Sequence, residues 1–193
     1  MSENTSSGQV FPQLFNTADF HVVPASALDD QEVRTLLTGF TSGQETMDLW
    51  IQAQALNGKA RADMPLRFVI APGSGELIGY YLLISAEVPR LGLPSAKLRR
   101  NKPNSIPAVK LAQMAVEKRF QGKGFGRRML LCAMAEAVSV ATVQQQTAFI
   151  LDPVDDSARA FYSRFSFETL KDSGTMLLAM GTVRQLLAAW NAE

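Results

Sequence analysis

Three glycines at two-residue spacing stand in the middle of this chain of 193 residues, at Gly122, Gly124 and Gly126. The residues before them, Ile106–Phe120, predict an apolar strand, and the residues after them, from about Phe125 to Ala141, predict an apolar helix. A glycine turn that opens a helix presents backbone N–H groups at the positive end of the helix dipole, which suits a phosphate group. The order of strand, turn and helix therefore predicts a pyrophosphate-binding turn.

The charge distribution supports an anionic ligand near this turn. The net charge of the whole chain is only +1, yet eleven of its 19 basic residues lie between positions 90 and 128, where Glu117 is the only acidic residue. Segregated positive charge of this kind favours polyanionic partners, although charge alone does not choose among them.

The remaining pattern predicts the elements that must position these residues. A run of prolines and basic residues, Leu91–Ile106, indicates a loop, and Pro72–Glu76 indicates the loop of a β-hairpin. The predicted class is α/β, with a mixed sheet of six to seven strands and helices on both faces. Strands are predicted at 20–23, 67–71, 77–88, 106–120, 147–151, 167–170 and 176–180, and helices from 29 or 30 to 37, from 42 or 43 to 56, at 125–141 and 155–165, and in the tail around 183–190.

Length and composition predict one domain at 16–193 that follows a disordered polar tail at 1–15. The single cysteine, Cys132, excludes an internal disulfide bond and fits a cytoplasmic protein. With one histidine and one cysteine in the chain, no metal site of the zinc type is expected. No apolar stretch is long enough to span a membrane, and the first residues do not form a secretory signal.

Two motifs carry a resemblance to a known family. The run Gln121-Gly-Lys-Gly-Phe-Gly126 is similar to the acyl-CoA motif of the GNAT N-acetyltransferases, and Ala158–Phe167 resembles their second signature around a Phe-Tyr pair. The segments Ile78–Tyr81, Leu98–Pro103 and Ile106–Val116 narrow the resemblance to the TacT/AtaT-like toxins of type II toxin–antitoxin modules. The resemblance covers roughly residues 40–180 and implies a single GNAT domain.

The resemblance implies that acetyl-CoA is the cofactor. The N–H groups near Met114, Ala115 and Val116 would then hold the thioester carbonyl, and the strand that contains them would pair with the pantetheine arm. The turn Gln121–Gly126 would hold the pyrophosphate. The cofactor-binding residues implied are Met114, Ala115, Val116, Arg119, Gln121, Gly122, Lys123, Gly124, Phe125, Gly126 and Arg127.

Tyr162 matches the family's general acid, which protonates the leaving thiolate. A phenol of pKa about 10 keeps its proton near neutral pH, whereas an α-amino acceptor of pKa about 7.7–8.0 is already partly neutral. The alternative for Tyr162 is a packed core aromatic residue. Three positions depart from the family pattern. Asp155 stands where many superfamily members carry asparagine, and Ser42 stands where cysteine is frequent. Ser166 stands where glycine is usual, so we expect its turn to be tighter than a serine side chain prefers.

By resemblance, the function is that of a toxin that acetylates the α-amino group of aminoacyl-tRNA and blocks translation, with a ribbon-helix-helix antitoxin and a homodimer as expected partners. The alternatives are a GNAT enzyme for a small amine or a protein N-terminus, and a non-catalytic nucleic-acid-binding regulator. The candidates for contacting the tRNA backbone, through salt-dependent phosphate contacts, are Arg90, Lys97, Arg99, Arg100 and Lys102. The alternatives for some of them are the 3′-phosphate of CoA and an acidic antitoxin tail.

Overall fold

The computed structural model describes residues 17–93, 96–101, 103–171 and 173–190, without the side chains of residues 97 and 98. The predicted tail at 1–15 lies outside these residues. The described chain divides into two compact units: one holds the residues up to Leu82 together with Gln113–Ala133, and the other holds Leu83–Ala112 together with the residues from Met134 onward. The assignment of 16–193 to one domain stays a prediction.

A mixed sheet of seven strands runs through the fold, as the sequence predicted. Its strands lie in the order β1-β2-β3-β4-β5-β7-β6. The strands β4 and β5 pair in parallel, whereas β1 with β2, β2 with β3, β5 with β7 and β6 with β7 are antiparallel. The strands are β1 His21–Pro24, β2 Leu66–Ile70, β3 Leu77–Pro89, β4 Ser105–Val116, β5 Ala148–Leu151, β6 Glu168–Thr169 and β7 Met176–Ala179.

The α-helices agree with the predicted ones to within a few residues, with two additions. They are α1 Asp30–Leu37, α2 Glu45–Ala55, α3 Gly58–Asp63, α4 Ala96–Arg99, α5 Phe125–Gln144, α6 Asp156–Ser163 and α7 Met180–Trp190. The additions are α3 and the four-residue helix α4, which lies within the segment predicted as a loop. Short 3₁₀ turns span Ala25–Ala27, Arg90–Gly92 and Lys118–Phe120.

In the first unit, local capping explains where the helices begin. The Asp29 side chain accepts from the N–H of Glu32 and the Glu32 side chain accepts from the N–H of Asp29, so α1 starts with a capping box. Helix α3 has no apolar periodicity. It is held instead by the Asn57 cap and by the buried guanidinium of Arg61, which donates to the Ala55 carbonyl and to Asp30.

The predicted hairpin is present in this unit. Strands β2 and β3 pair antiparallel, and the N–H of Ala71 donates to the carbonyl of Glu76 at 2.9 Å across the loop. Gly73 and Gly75 take φ values of 82° and 67°, where residues with a side chain are disfavoured. The loop therefore ends with Glu76 fixed at the start of β3.

The predicted strand 106–120 is too long at its C-terminal end, because β4 stops at Val116. The buried Glu117 accepts a hydrogen bond from the N–H of Arg119 and caps the 3₁₀ turn Lys118–Phe120. A side-chain acceptor that satisfies the N–H groups of a turn gives the backbone an alternative to the sheet. The strand and the glycine turn are thus separated by one tight turn.

The second unit has its own apolar core. Strand β5, with the sequence Ala-Phe-Ile-Leu, is buried along its whole length, as expected of a strand covered on both faces. Its ladder with β4 pairs Ala108 with Ala148 and Leu111 with Leu151. The core cluster consists of Val88, Leu93, Ile106, Ala108, Ala148, Ile150, Leu170 and Leu177.

Candidate active site

The phosphate turn, which we define as Gln121–Gly126, has the backbone that the sequence predicted. Gly122 and Gly124 take φ values of 73° and 85°, and a Cβ atom added at either position would meet no atom within 4 Å. The backbone conformation, not crowding, therefore requires glycine at both positions. The residues from Gln121 to Gly124 are exposed, so the turn is open to a ligand.

Helix α5 begins at the end of this turn, at Phe125. The first N–H groups of an α-helix have no partner within the helix, and they lie where the helix dipole is positive. Lys123 and Arg127 are exposed beside them, and the Lys123 ammonium lies 5.8 Å from the centroid of the Phe120 ring. This combination of N–H groups and cations fits a pyrophosphate.

The side chain of Gln121 fixes the turn through hydrogen bonds to the backbone. Its Nε2 atom donates to the carbonyl of Ser42 at 2.8 Å and to the carbonyl of Val116 at 2.9 Å. Both partners are backbone groups of the protein. Gln121 therefore fixes the turn against β4, while the N–H groups of the following glycines remain the candidates for ligand contact.

Arg119 lies in an ion network that the sequence did not reveal. Its Nε atom is 3.2 Å from a carboxylate oxygen of Glu117, and its Nη1 atom is 2.9 Å from a carboxylate oxygen of Glu76. The hydrogen bonds that the guanidinium donates to Glu117 and Glu76 raise the pKa of Arg119. The Arg119 side chain is 64% exposed and borders a cavity of about 170 Å³ that Glu76 also lines.

The C-terminal end of β4 carries the residues predicted to contact the thioester. The β4 ladder with β5 ends at Leu111, and β4 continues for five residues to Val116. Met114 and Val116 are half-buried and Ala115 is buried. A strand that continues past its ladder can pair through its backbone with an extended ligand.

Gly79 of β3 allows a close approach at this end of β4. A Cβ atom at position 79 would lie 2.3 Å from the Ala115 carbonyl oxygen and 2.8 Å from the Cε atom of Met129. Real Cβ atoms do not come so close to other atoms, so a side chain here would displace the backbone of β4 or the first turns of α5. Gly79 thus shapes the backbone that the predicted cofactor residues share.

Tyr162, in the second unit, lies on α6. Asp155 caps this helix by accepting from the N–H of Ala158 at 2.7 Å, which gives this departure from the family pattern a structural role. The Tyr162 ring packs edge-on against Phe161 and Phe167 at centroid distances of 5.1 Å and 5.8 Å. Burial raises the pKa of Tyr162, so its phenol is protonated throughout the physiological range.

Ser166 follows Tyr162 in a strained turn. Its φ value is 65°, a conformation that glycine adopts at no steric cost and that a serine side chain disfavours. The prediction that this turn suits glycine better than serine is confirmed. The turn leads directly to Phe167, which packs on Tyr162.

The predicted nucleic-acid residues are only partly described. Arg100 is exposed, Arg99 and Arg90 are half-buried, and Arg99 ends helix α4. The side chain of Lys97 and the whole of Lys102 lie outside the described residues. Arg99 and Arg100 are adjacent in sequence, and they place two described positive charges at the end of α4 in the second unit.

Two further expectations concern metals and membranes. Among the described residues, no group of three or more His, Cys, Asp or Glu side chains is arranged to hold a metal ion. No helix in the described ranges has the length and hydropathy needed to cross a bilayer. Cys132 is buried in α5 and forms no disulfide bond.

Fold and motifs together define the class of protein. The family model of the GNAT acetyltransferases matches residues 29–167, and the chain belongs to this family, whose cofactor is acetyl-CoA. Among curated proteins, it is similar to a tRNA-acetylating toxin of Mycobacterium tuberculosis, with 30% identity over 152 residues that make up 78% of this chain and 90% of that protein. These likenesses confirm the family and the cofactor that the two motifs predicted.

Solved structures confirm the fold. The toxin AtaT complexed with acetyl-methionyl-tRNAfMet superposes with a TM-score of 0.76 at 19% identity, over 87% of this chain and 99% of that one. A mutant of AtaT bound to the C-terminus of the antitoxin AtaR and acetyl-CoA superposes with a TM-score of 0.65 at 16% identity, over 88% of this chain and 97% of that one.

Proposed function

We propose that this acetyltransferase is a toxin that transfers acetyl from acetyl-CoA to the α-amino group of an aminoacyl-tRNA and so blocks translation. The acetyl-CoA-dependent transferase activity is supported by the phosphate turn at the start of α5, in which two glycines have left-handed backbone conformations and are open to solvent. The tRNA half rests on the likeness to a tRNA-acetylating toxin over most of both chains.

The turn supplies the proposed cofactor contacts. The N–H groups of Gly122–Gly126 and the side chains of Lys123 and Arg127 bind the pyrophosphate, because N–H groups at a helix start and flanking cations stabilise phosphate oxygens. Phe125 packs edge-on against Phe120 at 5.6 Å and holds the first turn of α5 in place. Met114, Ala115 and Val116 form the proposed backbone contacts to the pantetheine arm and the thioester.

Tyr162 supplies the proposed proton. When bound, acetyl-CoA provides an activated acetyl thioester and a thiolate leaving group. The amine of the acceptor forms the new C–N bond, the C–S bond breaks, and the Tyr162 hydroxyl gives its proton to the departing sulfur. Burial raises the pKa of Tyr162, so the phenol carries this proton at neutral pH. The acceptor amine loses its own proton to water, so no strong protein base is required.

The acceptor's phosphates are the proposed ligands of the basic segment around α4. Arg99 and Arg100, with Lys97 and Lys102, contact the tRNA backbone, and Arg90 adds a half-buried charge nearby in sequence. Such contacts give affinity that falls as the salt concentration rises.

The proposal includes partners and location. A ribbon-helix-helix antitoxin neutralises the toxin, the toxin is a homodimer, and both act in the cytoplasm. Light scattering of the purified chain measures the oligomeric state, with a mass of twice 21.1 kDa expected. Copurification with the product of a neighbouring reading frame tests the antitoxin.

Labelled acetyl-CoA tests the acceptor. The purified chain is incubated with charged tRNA, the same tRNA after deacylation, a free amino acid and a peptide with a free N-terminus. We expect label on charged tRNA alone. Label on the free amino acid or the peptide, without label on charged tRNA, would support a different GNAT acceptor. Binding of tRNA without any transfer would support a non-catalytic regulator.

A further inference from the structure

The carboxylate of Asp48, which lies outside both family motifs, accepts hydrogen bonds from one short segment of the chain. Asp48 of α2 accepts from the N–H of Ser42 at 2.8 Å and from the Ser42 hydroxyl at 2.6 Å through one oxygen. Its other oxygen accepts from the Thr41 hydroxyl at 2.7 Å. We refer to Thr41–Gly43 as the connecting segment. Three donors on one carboxylate fix this segment against the start of α2.

The balance of forces at Asp48 favours the ionised form. Burial raises the pKa of this carboxyl, but the hydrogen bonds from Ser42 and Thr41 outweigh it and leave the pKa below its usual value. Asp48 therefore carries its charge at neutral pH, and hydrogen bonds to a charged acceptor are stronger than those to a neutral one.

The same segment turns its carbonyl groups toward the phosphate turn. The Thr41 carbonyl accepts from the N–H of Lys118 at 2.8 Å. The Ser42 carbonyl accepts from the side chain of Gln121 at 2.8 Å, and Gln121 is 79 residues away in sequence. The N–H and hydroxyl groups of the connecting segment thus donate to Asp48, and its carbonyl groups accept from Lys118 and Gln121 at the entry to the phosphate turn.

Helix α2, which carries Asp48, is itself fixed to the sheet. The hydroxyl of Tyr80 on β3 donates to the Met47 carbonyl at 3.0 Å, and the Tyr80 ring stacks on Trp50 at a centroid distance of 6.0 Å. Ile51 and Ala55 of the same helix are fully buried. A positioning group is effective only when its own element is held rigidly, and α2 meets that condition.

We propose that Asp48 is a positioning residue for the cofactor: through the connecting segment and Gln121, it holds the phosphate turn in the geometry that receives the pyrophosphate. The proposal rests on the proposed role of the turn in cofactor binding. Asp48 itself need not touch the cofactor, since its effect passes through Ser42 to Gln121.

The Asp48→Asn variant tests this role in the full-length chain. We expect the Kd for acetyl-CoA, measured by calorimetry, to rise about tenfold, the loss typical of one hydrogen bond to a charged group. The KM for acetyl-CoA should rise in parallel while kcat at saturating acetyl-CoA is unchanged. An unchanged Kd, or a fall in kcat at constant KM, would overturn the proposal.

The matched control is Asp30→Asn. Asp30 is also a hydrogen-bonded carboxylate of the first unit, but it serves an ion pair with Arg61. We expect this variant to bind acetyl-CoA as the parent chain does. If it weakens binding as much as Asp48→Asn, the effect is general destabilisation and the proposal fails.

A double-mutant cycle tests the route through Gln121. If Asp48 acts through Gln121, Asp48→Asn should have little further effect on the Kd in a Gln121→Ala background. If the double variant raises the Kd for acetyl-CoA by the product of the two separate increases, Asp48 does not act through Gln121 and the proposed route is overturned. Should Asp48→Asn not fold, Ser42→Ala removes one donor alone. Its Kd should rise about threefold, as expected of one weaker hydrogen bond, and an unchanged value would overturn the proposal.

Gly124→Ala separates this proposal from the proposed function. A side chain at a φ value of 85° strains the turn itself. If Gly124→Ala binds acetyl-CoA as the parent chain does, the cofactor role of the turn is wrong. If Gly124→Ala weakens binding and Asp48→Asn does not, only the role of Asp48 is wrong.

Discussion

The guanidinium of Arg119 donates to the carboxylate of Glu76 at 2.9 Å, so a cation predicted to bind phosphate is already paired. Glu76 lies at the end of the β2–β3 loop, and Glu117 holds the same guanidinium from the buried side. If Arg119 binds a cofactor phosphate, as the sequence predicts, that phosphate competes with Glu76 for the guanidinium. The affinity for the cofactor is then adjustable at a residue outside the glycine motif.

The first prediction follows from that competition. In Glu76→Gln, the Arg119 guanidinium is freed from its exposed partner, and we expect acetyl-CoA to bind about twofold to threefold more tightly, a change of the size that exposed ion pairs produce. The gain should shrink as salt is added, because exposed charges are screened. Asp63→Asn changes the net charge equally at another exposed site and should leave the Kd unchanged; an equal gain there would point to net charge alone.

The second prediction concerns the proposed general acid. Tyr162→Phe keeps the packing against Phe161 and Phe167 but removes the proton donor. We expect kcat to fall by about 10² to 10⁴, the usual contribution of general acid catalysis, while the Kd for acetyl-CoA and the melting temperature stay close to those of the parent chain. A variant with unimpaired kcat would exclude Tyr162 from this role.

The third prediction is the pH dependence of kcat/KM. Burial raises the pKa of Tyr162, so the phenol keeps its proton to higher pH than a free tyrosine does. The acceptor α-amino group is active only when neutral, and its pKa is about 7.7–8.0 or lower. We expect kcat/KM to rise with pH, to level off once the amine is neutral and to show no descending limb below about pH 10. A descending limb near pH 9 would contradict the assignment.

The fourth prediction concerns Gly79. In Gly79→Ala, the new methyl group would meet the Ala115 carbonyl oxygen at 2.3 Å, so the backbone of β4 must shift. We expect the free energy of unfolding to fall by about 1–3 kcal/mol, the usual cost of overpacking. Gly181→Ala in α7 is the control, because a Cβ atom there meets nothing within 4 Å and should not destabilise the chain. Chemical denaturation measures both variants.

The fifth prediction concerns tRNA binding. Replacing Arg99 and Arg100 by alanine should weaken tRNA binding and lower the slope of log Kd against log salt by about 1 for each phosphate that is no longer neutralised. Arg34 and Lys59 are exposed basic residues of the first unit, and replacing them removes the same charge. That control should leave the slope unchanged, and a slope that falls equally in both double variants would argue against a localised tRNA site.

Sequence patterns reveal features that are set locally. The turn at Gln121–Gly126 was predictable because the strand, the glycines and the start of the helix follow one another directly in the sequence. The sequence placed the start of α1 at 29 or 30, and the capping box of Asp29 with Glu32, three residues away, fixes the cap at Asp29. The φ value of 65° at Ser166 confirms a strain that its departure from the family pattern indicated.

Features that depend on distant partners were not predictable. No local pattern shows that Gln121 bonds to Ser42, or that Arg119 is paired with Glu76, since these contacts join residues 79 and 43 positions apart. The end of β4 was missed for a related reason. Glu117 caps a 3₁₀ turn instead of extending the strand, and an apolar run followed by charged residues does not distinguish the two outcomes.

The most direct test of the proposed function identifies the acetylated group itself. Charged tRNA is incubated with acetyl-CoA and the purified chain and digested to nucleosides, and the aminoacyl-adenosine from its 3′ end is analysed by mass spectrometry. We expect aminoacyl-adenosine that is heavier by one acetyl group, with the acetyl on the α-nitrogen, and almost none with Tyr162→Phe. Unmodified aminoacyl-adenosine, from an enzyme shown in the same sample to bind acetyl-CoA, would contradict the proposed function.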